Sequence, residues 1–157
     1  MTARRAAVAR AGVLTLVVLG VDQATKALVR AGIDRGDEDP VLPFLKLVHT
    51  RNSGVAFGAF SGGGVLVIAV VAVALLALLL FFARHLEQRW AWVPVGLLLG
   101  GAVGNLLDRV LDGAVTDFLK VPAWPAFNVA DIAITFGVLA LLIVLETGDD
   151  GAAADRS

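Results

Sequence analysis

The sequence predicts an all-α polytopic membrane protein, with four transmembrane helices and a small β-element between helices 1 and 2. Hydrophobic residues make up 58% of the 157-residue chain and its mean hydropathy is +0.83, whereas soluble domains contain about 45–50% apolar residues. Four apolar segments are long enough to cross a bilayer as helices. A further segment, at 41–60, mixes β-branched and aromatic residues in partial alternation, which is typical of strands.

Composition excludes several other classes of protein. The 13 basic and 14 acidic residues give a net charge of −1. The chain therefore lacks the excess of positive charge that is typical of nucleic-acid-binding proteins. The chain contains no cysteine, which excludes disulfides, thiolate metal sites and a cysteine nucleophile. His49 and His85 lie far apart in sequence and make a poor zinc site. The sequence therefore predicts one membrane-embedded domain over 1–157, without metal or cofactor, and a monomer is expected.

Helix 1 is predicted at 11–30. Three arginines and no acidic residue precede its uncharged apolar run, a pattern that also introduces cleavable signal peptides. Polar Asp22 and Lys26 stand where a small-residue cleavage site would be, and further apolar runs follow. These features favour an anchored helix that is kept in the mature protein.

The β-element at 41–60 is predicted as a short hairpin or small sheet at the membrane surface, bounded by Pro43 and by a turn at 52–54. Asn52 in that turn either serves an ordinary turn or hydrogen-bonds the backbone of a peptide substrate. Helix 2 is predicted at 62–83, where 22 residues carry no charge. Such a helix is about 33 Å long, enough to cross a bilayer.

Helix 3 is predicted at 92–111, where four glycines would let neighbouring helices approach closely. A surface loop follows, and then helix 4 at 128–146 and a disordered tail at 147–157. Four spans place both termini on one side of the membrane. The positive charges ahead of helix 1 and in the 84–89 loop favour the cytoplasm for that side.

Polar residues at membrane depth are the candidate functional groups, because an aspartate at the centre of a spanning helix costs roughly 2.5–3.5 kcal/mol. Asp22 and Lys26 are spaced i, i+4 near the end of helix 1 and can pair on one face. One interpretation is a snorkelling surface pair that marks the helix end. The other is a strut that orients a loop or binds a lipid or substrate headgroup.

Helix 3 carries Asn105, Asp108 and Arg109 on one face. The neighbouring arginine favours the ionised form of Asp108, which suits structural pairing better than proton transfer. The amide of Asn105 can donate and accept, and so can bridge helices. We therefore interpret Asp108 as part of a polar clamp between helices 3 and 4.

Asp117 and Asp131 have no basic neighbour and lie among apolar residues. Apolar surroundings raise the pKa of a carboxyl group, and two close carboxylates share a proton. Such a pair can supply a base that activates water and an acid that protonates a leaving amine. The ordinary alternative is a solvated loop acid at Asp117 and a helix-start acid at Asp131.

Five motifs, in this order, resemble those of the lipoprotein signal peptidases (signal peptidase II), which are small four-helix bacterial membrane enzymes. The motifs are DQATK at 22–26, NSGVAFG at 52–58, GGAVGNLLDR at 100–109, VTDF at 115–118 and FNVAD at 127–131. Any one of them alone is weak, whereas all five in order form a specific pattern.

The resemblance implies endoproteolysis of diacylglyceryl-modified prolipoproteins just before the lipidated cysteine, by an aspartic dyad of Asp117 and Asp131. It also implies a bacterial cytoplasmic membrane location with lipid contacts, a small extracytoplasmic β-cradle near the dyad at the outer face, and sensitivity to the cyclic peptide globomycin. Residues of the motifs that are expected to bind substrate or support the site are Asp22, Lys26, Asn52, Gly54, Asn105, Asp108, Arg109, Asn128 and Ala130.

Two departures from the family pattern are visible. The connection between Asp117 and Asp131 is short, and Thr116 stands where valine is common. Neither removes a functional group. Two other functions stay open from the residues alone: a small proton-coupled transporter or channel subunit with carboxylates as a proton path, and a structural membrane partner that would tolerate asparagine in place of its aspartates.

Overall fold

The structure, a computed structural model, describes residues 2–53, 63–86 and 88–154. It is mostly helical and carries one small antiparallel sheet. The helices are α1 (Ala3–Gly32), α2 (Gly63–Arg84), α3 (Trp92–Asp112) and α4 (Val129–Ala154), and the strands are β1 (Glu38–Leu42), β2 (Leu45–Asn52) and β3 (Val115–Lys120).

Within the described residues, three segments are long and apolar enough to cross a membrane: Ala3–Gly32, Trp92–Asp112 and Val129–Glu146. A shorter apolar helical segment covers Ile68–Arg84. All four helices expose large apolar side chains on their outer surfaces, as helices that face lipid do. These features are those of a multi-pass membrane protein.

Two helices are longer than the sequence predicts. Helix α1 begins at Ala3, so the arginines ahead of the apolar run are helical. Helix α4 continues to Ala154, through residues that were predicted to form a disordered tail. This segment contains no proline to end the helix, and it finishes in alanines, which have the highest helix propensity.

Helix α3 lies at the centre of the bundle and is held close to its neighbours by glycines. A Cβ atom on Gly100 would lie 2.6 Å from Val18 Cβ of α1, and one on Gly101 would lie 2.5 Å from the carbonyl oxygen of Ala130 in α4. Any side chain at these positions would push the helices apart. The prediction that the glycines of helix 3 allow close packing is confirmed.

The sheet has the strand order β1-β2-β3, and both pairs are antiparallel. The sequence predicted a β-element only at 41–60, but the third strand comes from the segment after α3 that was predicted as a loop. Gly113 ends α3 at a φ of 73°, in the left-handed region that glycine adopts without strain. The chain then enters β3, where Asp117 pairs with Thr50. The 54–60 part of the predicted element lies outside the described residues.

Candidate active site

Asp117 and Asp131 lie together at the end of the bundle that carries the sheet. Asp117 is on β3 and is 3% exposed, so it is not the solvated loop acid of the ordinary alternative. Asp131 is partly exposed in the first turn of α4. Both aspartates are therefore fixed by regular secondary structure.

Asn128 connects the two carboxylates. Its Oδ1 accepts a hydrogen bond from the backbone N–H of Asp131 at 3.0 Å, and its own backbone N–H donates to Asp131 Oδ2 at 3.2 Å. This reciprocal pair is a capping box at the start of α4. The side-chain amide of Asn128 also donates to Asp117 Oδ1 at 2.7 Å. One fully buried residue thus caps the helix and sets the relative position of both aspartates.

Two further amides complete the hydrogen bonding of the carboxylates. Asn52 Nδ2 donates to Asp117 Oδ2 at 3.0 Å, and Asn105 Nδ2 donates to Asp131 Oδ1 at 2.8 Å. Each of the four carboxylate oxygens therefore accepts an N–H from a neutral amide. Such donors orient a carboxylate without the strong stabilisation of its charge that a cation gives.

Burial raises the pKa of Asp117 to about 6. The hydrogen bond from Asn52 opposes that rise, the nearby charge of Asp131 adds to it, and Asn128 and Lys26 lower the pKa again. A carboxyl group with a pKa near 6 exchanges its proton close to neutral pH. The pair can therefore hold one acid and one base at the same time.

Beside the dyad lies a buried cluster centred on Lys26, which is 0% exposed. Its Nζ lies 2.9 Å from Asp22 Oδ2, 3.0 Å from Asp108 Oδ2 and 2.9 Å from Asn105 Oδ1. Three acceptors match the three N–H groups of a lysine. The interpretation of Asp22 and Lys26 as a snorkelling pair is therefore wrong, because neither side chain reaches the surface.

The Asp22 carboxylate joins the first helix to the last. Its Oδ1 accepts the backbone N–H of Ala130 at 2.9 Å, one of the amide groups that the first turn of a helix leaves unpaired. Gly104 makes room for this contact, because a Cβ there would lie 2.5 Å from Asp22 Oδ2. This is the geometry of a strut between α1 and the start of α4.

Asp108 does not form the predicted clamp between helices 3 and 4. It bonds Lys26 of α1, accepts the backbone N–H of Thr116 in β3 at 3.0 Å, and accepts Gln23 Nε2 at 3.1 Å. Arg30 lies 3.8 Å away. Asp108 therefore joins α3 to α1 and to β3, because the buried cation that it needs is supplied by α1.

Arg109 does not pair with its sequence neighbour Asp108 in the described structure. Its NH1 donates to the carbonyl oxygen of Asn105 at 3.1 Å. Its Nε is buried and has no partner among the described residues. Among the described residues this buried donor is left without an acceptor, which is unusual for a buried polar atom.

Sequence reasoning missed Gln23 and Arg30. Gln23 Nε2 contacts Asp22, Asp108 and the carbonyl oxygen of Gly104. Gln23 lies inside the DQATK motif, and its place in that motif could have marked it as a site residue. Arg30, one further helical turn along from Lys26, could have been found by the same i, i+4 spacing. Gly54, a predicted site residue, lies outside the described residues.

One cavity adjoins Asp117, and a second lies among the helices. One of about 410 Å³ opens onto Asp117 and is lined by Thr50, Asn52, Lys120 and Pro125 among others. The other, about 550 Å³, is an apolar groove between α2, α3 and α4. Across the described parts of the chain, no three His, Cys, Asp or Glu side chains are grouped as a metal site requires.

The sequence profile of a protein family described as Signal peptidase (SPase) II matches residues 14–146. The chain belongs to the signal peptidase II family. Its match runs from the middle of α1 through the membrane-spanning part of α4, and includes all the predicted site residues. The resemblance inferred from the five motifs is confirmed, and the chain is a membrane protease by family.

Curated relatives agree with this membership. The chain is 41% identical to the lipoprotein signal peptidase of Rhodopseudomonas palustris (strain TIE-1), over 85% of this chain and 90% of that protein. It is 37% identical to the lipoprotein signal peptidase of Moorella thermoacetica, over 88% and 95%. A solved bacterial membrane enzyme superposes with a TM-score of 0.82 at 34% identity, covering 86% of this chain and 91% of that one.

Proposed function

We propose that this signal peptidase II is an aspartic endopeptidase that removes the signal peptide from diacylglyceryl-modified prolipoproteins, cleaving just before the lipidated cysteine. Family membership supports the removal of signal peptides from prolipoproteins. The observation that carries the catalytic assignment is the pair Asp117 and Asp131. These carboxylates are bridged by Asn128, and each of their four oxygens accepts a hydrogen bond from a neutral amide.

The dyad acts as a unit that holds one proton. Its ionised carboxylate takes a proton from a water molecule, whose oxygen attacks the scissile carbonyl carbon. The protonated carboxyl group hydrogen-bonds the oxygen of the tetrahedral intermediate. The C–N bond then breaks and a proton passes to the departing amine. The raised pKa of Asp117 supports this division of roles, because it brings protonation of the pair closer to neutral pH.

The neighbouring residues position the dyad. Asn105 donates to Asp131 and is itself oriented by Lys26, so the buried cation acts on the dyad through an intervening amide. Arg109 NH1 donates to the carbonyl oxygen of Asn105 and so supports the residue that bonds Asp131. No step requires a metal or cofactor.

The substrate would bind along two surfaces. Its signal helix would lie in the apolar groove between α2, α3 and α4, and its cleavage region in the cavity beside Asp117. We expect all four helices to span the cytoplasmic membrane, with cytoplasmic termini and the dyad near the outer face. The diacylglyceryl group would stay in the bilayer, a monomer would suffice, and globomycin would inhibit.

The test is a gel-shift cleavage assay on a diacylated precursor, with the purified enzyme in detergent. Asp117→Asn and Asp131→Asn should each lower the rate by at least about 10²–10⁴-fold, since each removes a proton-transfer group. Asp39→Asn is the matched control, because Asp39 is exposed on β1. Full activity in either dyad variant would contradict the assignment. Globomycin, as a separate arm, should block the wild-type enzyme.

The proton-path alternative is not favoured. That alternative uses Asp22, Asp108 and Asp131 as the proton path, but Asp22 and Asp108 are buried and paired with Lys26. Their oxygens are also occupied by N–H donors from Ala130, Thr116 and Gln23, which leaves them poorly placed to pass protons.

A further inference from the structure

A second polar cavity, of about 520 Å³, lies between the ends of α1 and α3 and the sheet. It is lined by Arg30, Arg35, His49, Arg51, Leu111, Asp112 and Thr116. Three guanidinium groups and one carboxylate line it, and Arg30 also lies 3.8 Å from the Asp108 carboxylate. Positive charge is therefore in excess around the cavity. The dyad does not line this cavity, and nothing in the proposed mechanism uses it.

The positive charges are only partly matched by local partners. Arg30 lies 3.6 Å from the carboxylate of Asp112. Arg51 donates to the backbone carbonyl oxygen of Asp112 and leaves that carboxylate to Arg30. The side chain of Arg35 makes no hydrogen bond or ion pair with any residue in the described parts of the chain. An anion that entered the cavity would therefore meet at least one guanidinium group ready to bind it.

We propose that this cavity binds a phosphate group, carried by an anionic phospholipid headgroup or by free phosphate. Guanidinium groups suit this ligand because their planar N–H donors match phosphate oxygens in pairs. Basic pockets between transmembrane helices bind phosphorylated lipid headgroups at the cytoplasmic side of membranes, and the same contacts are available here.

The walls of the cavity suit the lipid form of the ligand. Leu111 lines it and is 74% exposed, and the adjacent Val110 is 63% exposed. Both lie in the last turn of α3, at the depth where headgroups meet acyl chains in a membrane-spanning helix of this length. Acyl chains can therefore contact the end of α3 while the phosphate contacts the arginines.

An occupant would contact the sheet next to the proposed active site. Arg30 NH1 donates to Thr116 Oγ1 at 3.2 Å, and Thr116 is paired with Arg51 across β2 and β3. A phosphate bound here would join α1, the turn before β1, and strand β2. Because such a ligand binds only the folded protein, it should raise the unfolding temperature.

The lipid arm of the test uses native mass spectrometry of delipidated protein in detergent. Phosphatidylglycerol is compared with diacylglycerol of the same acyl chains, which lacks the phosphate. We expect wild type to retain phosphatidylglycerol and not diacylglycerol. Arg35→Gln should weaken that binding about tenfold, the loss expected for one charge-assisted contact, and Arg35→Glu should weaken it further. The matched control is Arg10→Gln, at an exposed position near the other end of α1.

The phosphate arm measures the unfolding temperature of the same proteins in zwitterionic detergent with added inorganic phosphate, against chloride at equal ionic strength. A rise in wild type that is lost in Arg35→Gln, without a preference for phosphatidylglycerol, would identify free phosphate as the ligand. The proposal is overturned if neither probe binds, or if Arg10→Gln weakens binding as much as Arg35→Gln does. Loss of cleavage in the dyad variants bears only on the protease assignment, so the two proposals fail separately.

Discussion

Two pairs of aspartates lie side by side at one end of this bundle and differ in what holds them. Asp22 and Asp108 share the ammonium group of Lys26. Asn128 hydrogen-bonds both Asp117 and Asp131, through its side-chain amide and its backbone N–H, and within the described residues no ion pair holds either of them. A cation fixes a carboxylate in its ionised form, whereas a neutral amide orients it and leaves proton exchange possible. The partner, and not the aspartate itself, therefore separates a structural carboxylate from a candidate catalytic one.

The largest effect on cleavage rate or stability is expected when one aspartate of each pair is replaced by asparagine. Asp131→Asn should reduce cleavage by about 10²–10⁴-fold, because the proton-transfer group is lost, and should lower the unfolding temperature less than Asp108→Asn, because one neutral hydrogen bond is lost and no ion pair. Asp108→Asn should lower the unfolding temperature and impair activity through that loss of stability, because Lys26 loses a charged partner. Cleavage rates and thermal unfolding of both variants are measured together. Equal behaviour of the two would remove the distinction between the pairs.

Removing the cation tests the other side of the comparison. Lys26→Met should destabilise the fold by about 3–5 kcal/mol, the usual loss when one partner of a buried ion pair is deleted. Lys46→Met is the control, because Lys46 forms an ion pair with Glu38 at 2.7 Å on the surface, with half-exposed side chains. That change should cost at most about 1 kcal/mol. Thermal or chemical unfolding of the purified variants gives both values, and similar losses would contradict the buried-cluster interpretation.

A smaller loss of stability is expected at Gly104, whose missing side chain leaves room for the Asp22 carboxylate. Gly104→Ala should destabilise the protein by about 1–3 kcal/mol, as overpacking does, because the new Cβ would lie 2.5 Å from Asp22 Oδ2. Gly12→Ala is the matched control in α1, since a Cβ there meets no atom within 4 Å. The control should be neutral or slightly stabilising. If both alanine substitutions leave the unfolding temperature unchanged, the space between Gly104 and the Asp22 carboxylate is larger than the structure shows.

The smallest effect concerns pH. The pKa of Asp117 lies at about 6, above its ordinary 3.8, so the folded state binds this proton more tightly and the group favours folding as the pH falls. The dyad needs that proton, so kcat/KM should fall about tenfold per pH unit above the pKa. Asn52 lowers the pKa by its hydrogen bond, so Asn52→Ala should move this limb to higher pH. A pH–rate profile that moves to lower pH would contradict the assignment.

The sequence predicted the helices and the two aspartates because their signals are local. Apolar runs of sufficient length and five ordered motifs need no knowledge of the fold. Strand β3 was missed because Val115–Lys120 is short and carries polar residues, and its pairing with β2 is a contact between distant segments. Strand β2, with which β3 pairs, lies in the segment that the sequence predicted to be strand-like. The pairing of the two strands, however, leaves no local sequence pattern.

The partner of Asp108 was also beyond sequence reasoning. Arg109 is adjacent in sequence, and adjacency suggested an influence on Asp108. In the structure the bonded cation is Lys26 of α1, two helices earlier in the chain than Asp108 of α3. Successive residues on a helix point in directions about 100° apart, so neighbours in sequence rarely share partners. Only the packing of α1 on α3 shows which cation Asp108 meets.

The contact between Asp22 and the Ala130 N–H has a consequence for the synthesis of the protein. A chain is made and inserted from its N-terminus. Helix α1 therefore enters the membrane before the backbone N–H of Ala130, the donor to its Asp22 carboxylate, has been inserted. Asn128 and Asp131 arrive with that same helix turn. The dyad is therefore assembled only at the final insertion step. In the proposed mechanism, an incomplete chain would hold Asp117 without its partner and would be inactive until its last helix is in place.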